Sequence, residues 1–282
     1  MLHRSTLQLL RFHFSFFLLP VFLFALALVP SVDPGRAWLA FILLHLLVYP
    51  ASNGYNSYMD RDETPIGGLR HPMQPTRQLF YVTIVLDVLA TGLSFLISPF
   101  FALGILFYIM ASRAYSYRRI RLKRYPVTGF LTVFIFQGAL VFFLSYHAAD
   151  AGHTLQVPLL PCFIASLLIG ASYPLTQIYQ HEADRADGVI TLSCLLGKRG
   201  TFLFSGLLFG GATAALFFWW APDRQPFLLF LVITAPVVLF FLYWMQAVWR
   251  NEAAADFRHS LLMNAISTLC MTAYFSTLIL SN

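Results

Sequence analysis

The stretch NGYNSYMDRDETPIGG, Asn53 to Gly68, sets Asp60, Arg61, Asp62 and Glu63 side by side in a chain of 282 residues that is 59% hydrophobic and only 11% charged. These acids directly follow a long apolar run, so the stretch reads as the polar end of a helix leaving a membrane. A mean hydropathy of +0.71 and 29 phenylalanines would leave a soluble fold with more apolar surface than its interior can hide. A bilayer-crossing helix needs about 20 mostly apolar residues, and such runs fall near residues 12–31, 36–56, 79–98, 99–117, 126–147, 157–179, 200–221, 226–248 and 259–280. The expectation is an all-α, multi-pass membrane protein with nine transmembrane helices.

The first run follows His3, Arg4 and Arg11 and contains Ala25-Leu26-Ala27, features shared with a cleaved signal peptide. Its length and the eight spans behind it favour a retained helix. Short loops rich in Lys and Arg stay in the cytoplasm. A cytoplasmic N-terminus puts 16 of the 18 basic residues inside and only Arg36 and Arg224 outside. The net charge of +6 therefore describes one face of a membrane protein, suited to lipid headgroups or a polyanionic ligand, and is no argument for nucleic acid. Cys162, Cys194 and Cys270 lack metal-ligand spacing and read as packed thiols.

Half of the twelve acids lie in two stretches: the one quoted and YPLTQIYQHEADRADGVITLSCLLG, Tyr173 to Gly197. Both follow spans that run inward, the second and the sixth. If each helix continues through its polar end, residues at offsets 0, 3, 7 and 10 share a face. Asn53, Asn56, Asp60 and Glu63 have those offsets, and so do Gln177, Gln180, Asp184 and Asp187. Two helices thus present the same ladder of amides and then carboxylates at one membrane depth, a divergent internal repeat. Carboxylate and amide oxygens are hard ligands, and Mg²⁺ is commonly held by a few carboxylates together with phosphate oxygens and water. A phosphate ligand also needs cations. SRAYSYRRIRLKRYPVTG, Ser112 to Gly129, supplies Arg118, Arg119, Arg121, Lys123 and Arg124, and Arg70 follows the Gly67-Gly68 turn.

These three segments resemble the UbiA-type intramembrane prenyltransferases. That family has nine helices around a lipid-accessible cavity, an Asp-rich motif after the second helix and another after the sixth. The first motif matches at Asn56 and Asp60, while Ser57 and Thr64 stand at the other two acidic positions, and Arg70-His71-Pro72 resembles an interrupted Arg-Pro element. The second matches at Asp184, Arg185, Gly188, Thr191, Leu192 and Gly197, with Gln180 in place of the first Asp. YSYRRIRLKRYP resembles the family's basic loop after the fourth helix.

The resemblance implies one domain over residues 1–282 that transfers an isoprenyl group from an isoprenyl diphosphate to a hydrophobic acceptor, aromatic or a quinone precursor, within the membrane. It implies two Mg²⁺ ions bridging the diphosphate, with Asn56, Asp60 and Glu63 on one side and Asp184 and Asp187 on the other. Arg70, Arg121, Lys123 and Arg124 would neutralise the remaining charge. Asn53, Gln180 and Arg185 would complete the donor site, and Tyr115 and Tyr117 would face the allylic carbocation through their rings. A bacterial inner membrane with a cytoplasmic site is the implied setting. A related membrane terpene cyclase would use the same metal site without an acceptor, whereas a transporter predicts polar or broken helices at mid-membrane.

Other polar residues within spans are Asp87, costly there unless protonated or paired, and Gln137 and Asn264, which read as hydrogen-bond partners between helices. His181, one step from the second ladder face, reads as an interfacial histidine or a base.

Overall fold

The computed structural model describes residues 2–281. Nine long helices make up the bundle among the described residues: α1 (Arg4–Leu28), α2 (Pro34–Asp60), α3 (Arg77–Ser94), α4 (Pro99–Ser116), α5 (Pro126–Ala149), α6 (Leu159–Gln177), α7 (Leu192–Trp219), α8 (Gln225–Arg250) and α9 (Phe257–Ser281). Eight of them are long and apolar enough to cross a bilayer, against the nine spans expected. The exception is α3, which carries Arg77 and a mid-helix aspartate, Asp87. Asp87 is neutralised across the helix interface by Arg113 of α4, whose Nε donates to Oδ2 at 2.8 Å. Its partner is therefore a guanidinium that charge counting had assigned to the cytoplasmic face.

Helix starts follow local chemistry. Asp33 Oδ1 caps α2 by accepting from Arg36 N at 3.0 Å, and Ser98 Oγ caps α4 by accepting from Phe101 N at 2.9 Å. In both helices a proline follows directly, where its fixed φ suits a first turn. The chain is interrupted in α1 at Arg11 (φ 48°) and in α7 at Gly197 (φ 69°).

An aromatic core holds the bundle together, with Phe24 of α1 stacked 4.7 Å from Phe275 of α9 and edge-to-face 4.9 Å from Phe142 of α5. Helices α5 and α6 cross at Gly138. A Cβ built there would lie 2.4 Å from Ser166 Cα, and Ser166 Oγ accepts from Ala139 N at 2.9 Å. Such small-residue crossings with a hydrogen bond are how helices associate in lipid, where the hydrophobic effect between them is absent.

Candidate functional site

The two acidic stretches and the loop between α4 and α5 meet at one end of the bundle. Helix α2 stops at Asp60 because Arg61 turns left-handed (φ 54°) while donating its N–H to Ser57 O at 3.0 Å. Asn56 Nδ2 donates to Asp60 Oδ2 at 2.8 Å and to Ser116 Oγ at 3.1 Å. Lys123 Nζ also donates to Asp60 Oδ2, and Arg121 Nη2 reaches Oδ1 at 3.5 Å. Asp60 is buried among these partners.

The second stretch leaves α6 through a break at residues 178–180 and re-forms as a short helix, His181–Ala186. His181 Nε2 and Ser193 Oγ share a buried 2.7 Å hydrogen bond, and Ser193 Oγ lies 3.0 Å from Thr201 Oγ1. This chain ties the short helix to α7. Burial pushes His181 down to about 4, which favours the neutral ring in its bond to Ser193. Gln180 Nε2 donates to Pro65 O at 3.1 Å and links the two acidic loops.

Between them lies a polar chamber of about 170 Å³, whose lining includes Asp60, Asp62, Asp184, Lys123 and Arg11. Burial, then the nearby charge of Asp60, pushes Asp62 up to about 6. Burial raises Asp184 to about 7, against the pull of Lys123 and with help from Asp62 and Asp60. Asp184 Oδ2 is buried with no hydrogen-bond partner. Arg11 donates from Nη1 to Gly67 O and from Nη2 to Asn53 O, both at 3.2 Å, which fastens the Gly67-Gly68 turn to α2. A Cβ on Gly67 would lie 2.6 Å from Phe14 Cζ, so a side chain there would require the Phe14 ring to shift.

The chamber opens into a second, mainly apolar cavity of about 460 Å³. Phe14, Ser52, Asn53, Tyr108, Gln137, Tyr173 and Thr176 line both and mark the junction. Val238 and Leu242 of α8, 38% and 47% exposed, are among the residues that line it.

The site residues expected from sequence divide as follows. Asn53, Asn56, Asp60, Tyr115, Lys123, Gln180 and Asp184 line the polar chamber. Tyr115 and Tyr173 are joined by a hydroxyl–hydroxyl hydrogen bond. Glu63, Arg70, Tyr117, Arg124 and Arg185 are exposed and outside the lining. The helical ladder fails at Glu63 because α2 ends three residues earlier, and Asp62 turns inward instead. Asp187 is 39% exposed and sits at the rim, where it pairs with Arg121 and lies 3.7 Å from Arg118. Arg121 thereby ties Asp187 to Asp60 instead of lining the chamber. Gln137 and Asn264, read as links between helices, line the larger cavity. Sequence reasoning missed Arg11 as a site residue, because it stands just before the first apolar run and reads there as a basic flank.

Residues 17–266 match the profile of the UbiA prenyltransferase family. The chain belongs to that family. The UbiA-family fold is borne out by solved structures. A UbiA homologue from Archaeoglobus fulgidus bound to GPP and Mg²⁺ superposes with a TM-score of 0.72 at 20% identity, covering 98% of this chain and 99% of that one. A homologue from Aeropyrum pernix K1 gives a TM-score of 0.69 at 19% identity over 94% and 97% of the two chains. Probable homogentisate phytyltransferase 2 of Oryza sativa subsp. japonica is 33% identical over 139 residues, which spans 46% of this chain and 35% of the rice protein.

Proposed function

We propose that this UbiA-family protein transfers an isoprenyl group from an allylic isoprenyl diphosphate to a hydrophobic acceptor in the membrane. The observation that carries the reading is the junction of the two cavities. A small chamber lined by acids and cations adjoins a larger apolar space and shares lining residues with it, which suits a molecule with an ionic head and a hydrocarbon tail. Solved relatives bound to GPP with Mg²⁺ and to DMAPP with Mg²⁺ support the donor class.

The chamber fits Mg²⁺. Asp184 carries a buried, unpartnered carboxylate oxygen, and Asp60, Asp62 and Asn56 supply further hard donors around the same space. Among the described residues, no three acids or histidines converge tightly enough to cage a metal by themselves. That set matches an ion held by one or two carboxylates with diphosphate oxygens and water completing its shell. Asp60 with Asn56 and Asp62 would hold it from the α2 side, and Asp184 from the α6 side. Bound there, Mg²⁺ would supply positive charge that stabilises the departing diphosphate.

The chain's own residues do the rest. Lys123 adds a cation beside the leaving group, where preorganised charge stabilises the separating diphosphate. Asn56 orients the Asp60 carboxylate, and Gln180 keeps the two acidic loops at a constant separation. Tyr115 and Tyr173 flank the passage from chamber to cavity, where an allylic cation would meet their rings. The apolar cavity holds the tail and keeps water from the cation. We place the site at the cytoplasmic face, as in a bacterial inner membrane, because the basic loops cluster at the chamber's end of the bundle while Arg36, in the first turn of α2, and Arg224, just before α8, lie at the other.

The test is Mg²⁺-dependent diphosphate release from geranyl, farnesyl and geranylgeranyl diphosphates by purified protein in nanodiscs, with and without aromatic acceptors. Release that requires an acceptor and is lost in both Asp60→Ala and Asp184→Ala is the expected result. Release that ignores the acceptor would show a cyclase instead.

A further inference from the structure

The apolar cavity ends on a layer of rings. Phe142 of α5, Phe24 of α1, Phe275 and Tyr274 of α9, Phe230 of α8 and Phe209 of α7 follow one another at centroid spacings of 4.9, 4.7, 4.9, 5.4 and 6.2 Å. This chain of contacts crosses the bundle through five helices. All but Phe209 are exposed by 1% or less, and Phe24, Phe209 and Phe275 line the cavity. Rings in offset and edge contact inside a close-packed interior do not yield readily to an intruding group.

The layer stands at the end of the cavity away from the polar chamber. Phe14 of α1 lines both spaces, and Phe24 lies farther along the same chain segment. On α9 the lining runs from Met263 and Asn264 to Phe275. The helical rise per residue puts the rings about 15 Å beyond the junction. An extended isoprene unit adds four carbon–carbon bonds, about 5 Å of length, so about three units span that depth.

We infer that the Phe24–Phe275 stack sets the length of the donor: a farnesyl tail reaches it, and the fourth isoprene unit of a geranylgeranyl tail is excluded. The inference rests on the reading that the cavity holds the tail of an isoprenyl diphosphate. Each unit added on the way to the rings buries more apolar surface and strengthens binding. The unit that meets the rings has to displace packed side chains, which costs as overpacking does. Truncating Phe24 or Phe275 extends the cavity past its present end, so the limit moves to longer tails.

The test is competition binding of geranyl, farnesyl and geranylgeranyl S-thiolodiphosphates, analogues whose carbon–sulfur bond resists ionisation, to the full chain in nanodiscs with Mg²⁺. In the parent the farnesyl analogue should bind at least about tenfold more tightly than either of the others. Phe24→Ala and Phe275→Ala should each improve the geranylgeranyl analogue relative to the farnesyl one by about tenfold. Phe209→Ala, at a half-buried ring of the same layer, carries the same expectation should the other two fail to fold. Phe101→Leu, at a buried core ring outside the lining, should leave the ratio unchanged. Equal binding of the farnesyl and geranylgeranyl analogues by the parent overturns the inference, and so does a ratio that Phe101→Leu shifts as far as Phe24→Ala. Diphosphate release from the three natural donors is followed in the same preparations, with and without aromatic acceptors. Length-graded binding without release overturns the transferase reading and leaves the length limit standing, whereas release with equal affinity for all three overturns the limit alone. Failure of every analogue to bind overturns both.

Discussion

Lys123, from the loop between α4 and α5, donates its ammonium to the carboxylate of Asp60, the last residue of α2. The pair is nearly buried, with side-chain exposures of 11% and 4%, and joins the basic loop to the first acidic stretch at the chamber. Lys123→Met should lower Mg²⁺-dependent diphosphate release about 100-fold, the scale seen when one preorganised charge is removed from a leaving group. Asp60, relieved of its competing cation, should then bind Mg²⁺ more tightly in the absence of donor. Unchanged release would remove Lys123 from the site.

Asp62 and Glu63 are adjacent, but only Asp62 lines the chamber. Asp62→Asn should reduce metal-dependent release at least about tenfold, while Glu63→Gln stays near the parent. The reverse ranking would restore the uninterrupted helical ladder.

Burial and neighbouring acids raise Asp184 to about 7 and Asp62 to about 6, so both bind protons more readily folded than unfolded. The folded state is therefore favoured at low pH, and this contribution is lost as pH rises from the ordinary carboxylate range through the raised values. Metal-free protein should melt at a higher temperature near pH 6.5 than near pH 8, and Asp184→Asn should remove most of that difference. Added Mg²⁺ should stabilise more strongly at the higher pH, since its carboxylate ligands must be ionised. A melting temperature that rises with pH equally in parent and variant would contradict this.

Arg113 of α4 also donates to Thr83 Oγ1 and Thr83 O, both at 3.2 Å, and its guanidinium carbon lies 3.9 Å from the centre of the Tyr55 ring. It therefore joins α3, α4 and α2. Asp87→Ala strands that cation between helices and should cost about 3–5 kcal/mol of stability. Replacing both partners with leucine should recover most of the loss, measured by thermal unfolding in detergent. An additive double variant would deny the coupling.

At the crossing of α5 and α6, Gly138→Ala would drive a methyl into the Ser166 backbone. We expect about 1–3 kcal/mol of destabilisation or more, because backbone cannot yield as a side chain can. Gly92, with nothing near its Cβ direction, is the control that should tolerate alanine.

The apolar runs, the all-helical class and the asymmetry of the basic loops are written in composition, because a bilayer demands long apolar stretches whatever their tertiary contacts. Asn56, Asp60, Gln180, Asp184 and Lys123 were also legible, since two acidic stretches and a basic loop stand at fixed positions after successive spans. Which neighbour faces inward was not. Periodicity assigns faces only while a helix continues, and α2 ends at Asp60 in a left-handed Arg61, which turns Asp62 in and Glu63 out. The break after Gln177 likewise leaves Asp187 at the rim, bound to Arg121. Arg11 and Gln137 took their places in the lining of the chamber only once distant helices closed around a shared space. Membership of a cavity is a property of several helix faces together, whereas a sequence displays one helix at a time.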